Sequence, residues 1–297
     1  MTEQHIAETD FKFPPLPATF TEVVRLASLP KERQRIEELV GIIERDPLAT
    51  SFVLRRVNSA YYGISRNITQ VDRAIILLGF NSVCNMVMTL GMKQTFADLR
   101  APEEKKVLDH ILRVSVATAA YARDVVNHLG MPMPETAFSG GLLHQIGRLV
   151  LLYTVPQAYS VLWYDRGTDQ DVISTPAPMQ EQAFFGTDYV QVGVRSVQRW
   201  ELPSKLSTII SFHRRPGAVE DTHLRVLTLA VSAGSSAARL LYEDGQPTLG
   251  RQVDQPRLAP PLMALAKMRQ RSPQTLKQLV ADRALIVRNY ADSALLN

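Results

Sequence analysis

The sequence predicts an all-α fold, and three features carry that prediction. Apolar residues recur at three- and four-residue spacing, most clearly in residues 135–153, where Leu142, Leu143, Ile146, Leu149, Val150 and Tyr153 line one wide helix face. No stretch shows the period-two alternation of a half-buried strand. Helix starts and stops are frequent, and Asp46-Pro47 is the clearest start. Aspartate accepts from the first free amides, and proline suits the first helical position.

The composition narrows the class. A chain of 297 residues suffices for one large domain or two ordinary ones. Its 45 % apolar content fills a core and its 21 % charged residues cover a surface, so general disorder is excluded. The longest apolar runs, residues 74–80 and 149–155, fall far short of the roughly 20 residues of a membrane span. The opening segment MTEQHIAETD is polar and acidic, unlike a signal or transit peptide. A single cysteine, Cys84, leaves no disulfide framework and no Cys-based zinc site. A cytoplasmic protein away from the membrane is expected. The net charge of +4 is uneven: residues 251–297 hold eight Lys/Arg against three Asp/Glu, so the remainder is close to neutral. That basic stretch reads as a solvated helix face, with an acidic partner or nucleic acid as the alternative.

Along the chain, residues 13–17 (FPPLP) form an extended lead-in, since each proline disfavours helix in the residue before it. Thr19 or Thr21 caps a first helix with Phe20, Val23, Val24 and Ala27 inward. A second, residues 35–45, buries Ile36, Leu39, Val40 and Ile43. The third starts at Asp46-Pro47, buries Leu48, Phe52, Val53 and Val57, and ends at Gly63. Thr69 with Asp72 forms a capping box ahead of Ala74, Ile75 and Leu78. Asn81-Ser82 then starts a helix carrying Val83, Met86, Val87 and Leu90, and Met86, Met88 and Met92 read as packing residues. Residues 105–129 form one long helix with Val107, Ile111, Val114, Thr118, Tyr121 and Val125 along a face. After a break comes the 135–153 helix, then a polar loop over 166–178. Thr187 caps a helix with Val190, Val194 and Val197 inward; residues 205–213 follow, and a long helix runs from about His223 to Tyr242. Residues 245–261 read as a linker, with helices resuming near Leu262 and after Ser272-Pro273.

Several short blocks fall in a fixed order: FPPLP (13–17), DPL (46–48), Arg55, VNSAYYG (57–63), AIILLG (74–79), residues 115–122, GLLHQIGR (141–148), Phe185-Gly186, WELP (200–203) and Phe212-His213. In content and order the sequence resembles the HDOD family, a bacterial branch of the HD-domain superfamily, over about residues 13 to 240. The last fifty-odd residues have no counterpart. The resemblance implies a two-lobed helical assembly: residues 1–100 as an N-terminal helical subdomain, 101–245 as an HD-like helical bundle, and 246–297 as a basic helical C-terminal extension.

The HD phosphohydrolases from which the family takes its name hold divalent metal with histidines and an adjacent His-Asp pair. Imidazole and carboxylate ligands must converge on one cation to activate water. This chain has six histidines, His5, His110, His128, His144, His213 and His223, and none is followed by aspartate. His144 is followed by Gln145, whose amide is a poor substitute for a bridging carboxylate. Val114 stands where an upstream histidine is expected, Tyr189 where related sequences often have histidine, and Arg214 where a second histidine commonly follows His213. The relict site is therefore His144, Gln145, Arg148 and His213, with no catalytic residue, no metal and no cofactor expected. His144 and His213 read as core histidines held by hydrogen bonds. Arg148 reads as tying a helix end or an acidic group of the N-terminal subdomain. The pair Asp109-His110 has the reverse order and carries no weight. Asn58, Tyr61 and Tyr62 gather at a helix end, where they stitch the two lobes together or contact a ligand. Arg55 and Arg56 pair with Glu44 or Asp46 or present charge to a partner.

The function this implies is a non-catalytic signal-transduction or scaffold protein. It would work by protein–protein contacts with bacterial signalling proteins, linked to two-component or cyclic-di-nucleotide signalling. The alternative is a divergent metal-dependent phosphohydrolase or phosphodiesterase using His144, His213 and carboxylates such as Asp165 or Asp188, which have no recognisable ligand spacing. Nucleic-acid binding through Arg251, Arg257, Lys267, Arg269, Arg271 and Lys277 is not expected, because interleaved aromatics and a reading motif are missing. A nucleotide could occupy the relict groove uncleaved, and no residue pattern speaks for it.

Overall fold

The computed structural model describes residues 11–59, 68–164, 175–242 and 258–295, and every regular element among them is helical. The chain divides into two compact units, Pro15–Thr95 and Met1–Pro14 with Phe96–Asn297.

The smaller unit contains α1 (Ala18–Ala27), α2 (Ile36–Glu44), α3 (Pro47–Val57), α4 (Val71–Leu78) and α5 (Phe80–Thr95). Asp46 caps α3 as its sequence predicts, accepting from Leu48 N at 2.9 Å and Ala49 N at 3.0 Å. Its other oxygen takes the Thr19 hydroxyl at 2.8 Å, so Thr19 ties α1 to α3 and does not cap α1, which starts behind Pro17 with no side-chain cap. The inward stripe of α3 is Ala49, Val53 and Val57, at strict four-residue spacing, which turns Leu48 out to 65 % exposure and leaves Phe52 half-buried. On α2 the same effect buries Leu39, Ile42 and Ile43 and exposes Ile36. The Thr69–Asp72 capping box is not formed. α4 starts at Val71 behind Gln70 with no side-chain cap. Nor does Asn81-Ser82 start α5. Gly79 adopts φ +86°, so α4 turns through 112° directly into α5 at Phe80, with no residues left over for a separate cap. Met86, Met88 and Met92 are buried in packing, as expected.

The larger unit is organised on α6 (Pro102–His128), a 27-residue helix whose expected face is buried throughout. It is followed by α7 (Pro134–Leu143), α8 (Ile146–Thr154), α9 (Pro156–Trp163), α10 (Pro178–Phe185), α11 (Tyr189–Arg199), α12 (Ser204–Phe212) and α13 (Thr222–Tyr242). The C-terminal stretch adds α14 (Ala259–Met268) and α15 (Pro273–Leu295). α13 is long and apolar enough to cross a membrane by composition, but 67 % of that window is buried as core. The lead-in docks on the end of α11, where Trp200 Nε1 donates to Pro14 O at 3.1 Å. α15 lays Leu276, Val280, Ala284, Val287 and Ala291 inward and is tied to α6 by Arg283–Asp124 at 2.7 Å and by Arg113–Asp292. Arg283 of the basic C-terminal stretch thus serves an internal contact.

Two departures from the sequence reading build the site. The 135–153 segment is not one helix: it breaks at His144-Gln145 into α7 and α8. And α11 is capped by Asp188, not Thr187, with Asp188 Oδ1 accepting from Val190 N and Gln191 N at 2.8 and 2.9 Å. Tyr189, Val192, Gly193, Ser196 and Val197 therefore face inward, while Val190 and Val194 are half-buried. The face is set by where α8 crosses. A Cβ on Gly147 would lie 2.0 Å from Tyr189 O and 2.6 Å from Gly193 N, so the two backbones meet with no room for a side chain.

Candidate functional site

His144 and His213 hold equivalent places in two helices. Each is the residue after the last helical one, of α7 and α12, and each turns its Nδ1 back to the carbonyl three residues earlier. The distances are 2.6 Å to Gly141 O and 2.7 Å to Ile210 O. The last carbonyls of a helix lack intrahelical partners, so a ring N–H there satisfies a buried acceptor. A carbonyl can only accept, which places the proton on Nδ1 and the lone pair on Nε2 in both rings. Both lone pairs are taken. His144 Nε2 accepts from the Ser235 hydroxyl of α13 at 3.1 Å, and His213 Nε2 accepts from the Tyr189 hydroxyl of α11 at 2.9 Å. The two rings pack edge to face with centroids 5.4 Å apart. Burial is the main cause that pushes both imidazoles toward the neutral form: His213 is lowered to about 4, and His144, with His213 beside it, well below its ordinary value.

Arg148 lies in the first turn of α8 and is fully buried. Its Nη1 reaches Glu181 Oε1 of α10 at 2.7 Å, its Nη2 donates to Pro176 O at 2.9 Å, and its guanidinium lies 4.0 Å over the Tyr189 ring. The expected acidic partner on the N-terminal subdomain is thus corrected: it is Glu181, in the same unit as Arg148. Glu181 also accepts from Tyr159 OH at 2.7 Å on Oε1 and from Tyr189 N at 2.9 Å on Oε2. Burial raises the Glu181 carboxyl, and the Arg148 charge and these donors oppose it. For Arg148, burial works against the charge and is outweighed by Glu181 and Tyr159, so the guanidinium is held protonated. Tyr189 joins the two clusters, with its ring under Arg148 and its hydroxyl on His213.

Gln145 is buried beside His144, and its Nε2 has no acceptor. Asn58 falls in the smaller unit, where its amide copies a paired backbone: Nδ2 donates to Ile68 O at 2.7 Å and Oδ1 accepts from Ile68 N at 2.7 Å. A third bond runs from Nδ2 to Leu54 O at 2.8 Å. Asn58 closes the connection between α3 and α4 from within its own unit. Arg55 is exposed in a cleft of about 700 Å³ lined also by Pro47, Ser51, Leu54 and Ile68. Tyr61, Tyr62 and Asp165 lie outside the described residues, and Asp188 is the cap of α11. Sequence reasoning missed Glu181, Tyr159 and Ser235. One signal was present, because an arginine in so apolar a helix requires a buried anion. Nothing in the sequence said which anion.

The fold is shared with known structures. An HDOD domain protein of unknown function from Geobacter sulfurreducens superposes with a TM-score of 0.73 at 17 % identity, over 96 % of this chain and 94 % of that one. A protein from Marinobacter aquaeolei VT8, provisionally named for signal transduction, gives 0.68 at 19 % identity, over 100 % of this chain and 62 % of that one. A protein from Shewanella amazonensis SB2B, provisionally named a phosphohydrolase, gives 0.66 at 18 % identity, over 95 % and 94 %. The chain spans 42 % and 29 % of the curated relatives it matches, so it covers less than half of their length.

The HD superfamily implies a divalent metal, and the donor set here does not fit one. Both imidazole lone pairs already accept from hydroxyls, the bridging carboxylate is the amide of Gln145, and the buried carboxylate is paired with a guanidinium. Among the described residues no three His, Cys, Asp or Glu side chains are grouped to hold a metal ion. The HDOD family model matches residues 13–216, well over half of the chain, and this protein belongs to the HDOD domain family.

Proposed function

We propose that this HDOD protein is a non-catalytic signal-transduction or scaffold protein of the cytoplasm, acting by protein–protein contacts with bacterial signalling partners. Two-component and cyclic-di-nucleotide pathways are the expected setting. The observation that supports this reading is the state of the two imidazoles. Metal-assisted hydrolysis needs lone pairs directed at a cation and a site open to water and substrate. Here each Nε2 is closed by a hydroxyl, and His144 and His213 are 1 % and 3 % exposed. The Marinobacter neighbour's name points the same way. The second reading, a divergent phosphohydrolase or phosphodiesterase, has the name of the Shewanella neighbour in its favour. It requires His144 and His213 to exchange both hydroxyl partners for a metal.

The test is turnover of bis(p-nitrophenyl) phosphate and of a cyclic dinucleotide, with Mn²⁺ or Zn²⁺ supplied. We expect the same background from the wild type and from His144→Ala. Turnover by the wild type that disappears in His144→Ala would establish the second reading.

A further inference from the structure

Among the described residues of the larger unit, large apolar side chains stand exposed singly except at one place. Leu285 and Ile286, in the middle of α15, are 66 % and 45 % exposed. At about 100° per residue, the inward stripe of Leu276, Val280, Ala284, Val287 and Ala291 fixes the outward side of the helix, and Leu285 and Ile286 straddle it. The same side carries exposed Gln278, Asp282 and Asn289 and half-buried Ser293. This row holds one charge, although it lies in the basic stretch of the chain. The arginines beside it are drawn off by bonds within the chain: Arg283 pairs with Asp124 at 2.7 Å, and Arg288 lies 3.9 Å from Asp292. Two exposed apolar residues in a row depleted of charge, flanked by polar groups, have the make-up of an interface centre with its rim.

What this face fits follows from the order of the row. The steps from Gln278 through Asp282, Leu285, Ile286 and Asn289 to Ser293 are four, three, one, three and four residues, the same in either direction. A two-fold axis between Leu285 and Ile286 demands that symmetry, since residue i of one copy meets residue j of the other and j meets i. About such an axis two antiparallel helices set Leu285 against Ile286, Asp282 against Asn289 and Gln278 against Ser293. Each polar pair is a donor facing an acceptor, and no like charges meet. Asp282 Oδ1 already accepts from Gln278 Nε2 at 2.7 Å, which leaves Oδ2 for the Asn289 amide of the other copy. Neither that oxygen nor that amide has a partner among the described residues.

We propose that the outward face of α15 is a homodimer surface, pairing antiparallel with the same helix of a second copy about an axis between Leu285 and Ile286. One helix pair buries less than a standard interface, so the dimer is weak, with a dissociation constant in the micromolar range. The proposal goes beyond the non-catalytic reading and is independent of the state of the histidine centre.

The test is sedimentation velocity of the full chain from about 1 to about 200 µM. The wild type should pass from monomer to dimer over that range. The double variant Leu285→Glu/Ile286→Glu should raise the dissociation constant at least about tenfold, with helix content unchanged because both side chains stand in solvent. Two single variants read the pairing itself. Asn289→Asp sets a carboxylate against Asp282 of the other copy and should weaken the dimer roughly fivefold. Asn289→Lys sets an ammonium there and should tighten it by a similar factor, an effect that high salt removes. A general loss of stability would move both in the same direction. A wild type that stays monomeric at about 200 µM, or a dimer indifferent to the double glutamate variant, would overturn the proposal. So would a dimer that Asn289→Lys weakens, because it requires a different pairing.

Discussion

The centre of the larger unit and the cleft of the smaller unit use the same kinds of residue and reach opposite states. At the centre Arg148, Glu181, His144 and His213 are at most 3 % exposed, and both carboxylate oxygens and both ring lone pairs of the cluster have donors. At the cleft Arg55 and Ser51 stand in solvent, while Asn58 is held by the backbone of Leu54 and Ile68. A buried cluster whose carboxylate and imidazole acceptors are all filled admits a cation only by breaking bonds it already has, at about 1–3 kcal/mol for each buried group left unpaired. An exposed surface carries no such barrier. On the function proposed above, the centre serves stability, and recognition belongs to surfaces such as the cleft.

The largest effect should come from breaking the ion pair. Glu181→Leu leaves Arg148 charged and alone in the core and should cost about 3–5 kcal/mol in denaturant unfolding. A loss below about 1 kcal/mol would mean that the pair is open to solvent in the native protein.

Acidification comes next. An unfolded histidine titrates near its ordinary value of 6.5, and burial lowers the folded His213 to about 4. The unfolded state thus binds more protons between these values, and the stability present above 6.5 drains away as pH falls toward 4. His213 alone accounts for roughly 3 kcal/mol of it. His144 shifts in the same direction. The raised Glu181 carboxyl works in the opposite sense, so the quantity to read is the difference in pH slope between the wild type and His213→Gln. Equal slopes would show that the imidazole is not buried neutral.

Tyr189→Phe removes the donor on His213 Nε2 while keeping the ring under Arg148, and should cost about 1–3 kcal/mol. The smallest effect belongs to the cleft: Arg55→Ser should change stability by less than about 0.5 kcal/mol, whatever it does to partner binding. A large loss there would remove the contrast between the two regions.

The sequence made much of this legible, and physical reasons mark where it stopped. The helical class, the Asp46 cap and the α6 face follow from local chemistry and periodicity, which act over one or two turns. The stripe on α3 was misjudged because adjacent apolar residues 100° apart compete for one inward face, and only tertiary packing chooses Ala49 over Leu48 and Val53 over Phe52. The break after Leu143 was hidden because His144 and Gln145 interrupt no apolar period. It is the ring N–H on the Gly141 carbonyl that ends the helix there. The cap of α11 was misplaced by one residue, from Thr187 to Asp188, since either can accept from the first amides. That single step carries Tyr189 into the core. His144, His213 and Arg148 could be singled out as polar groups in apolar surroundings. Their partners Glu181, Tyr159 and Ser235 lie 33, 11 and 91 residues away from Arg148, Arg148 and His144, beyond the reach of any local pattern.

The measurement that bears most directly on the central claim is the metal content of the untagged protein by elemental mass spectrometry, with His144→Ala alongside. A centre whose acceptors are closed by Ser235, Tyr189 and Arg148 predicts only trace iron, manganese and zinc, equal in the two proteins. Near-stoichiometric metal in the wild type that vanishes in His144→Ala would contradict it, and the hydroxyls now assigned to the two imidazoles would have to give way to a cation.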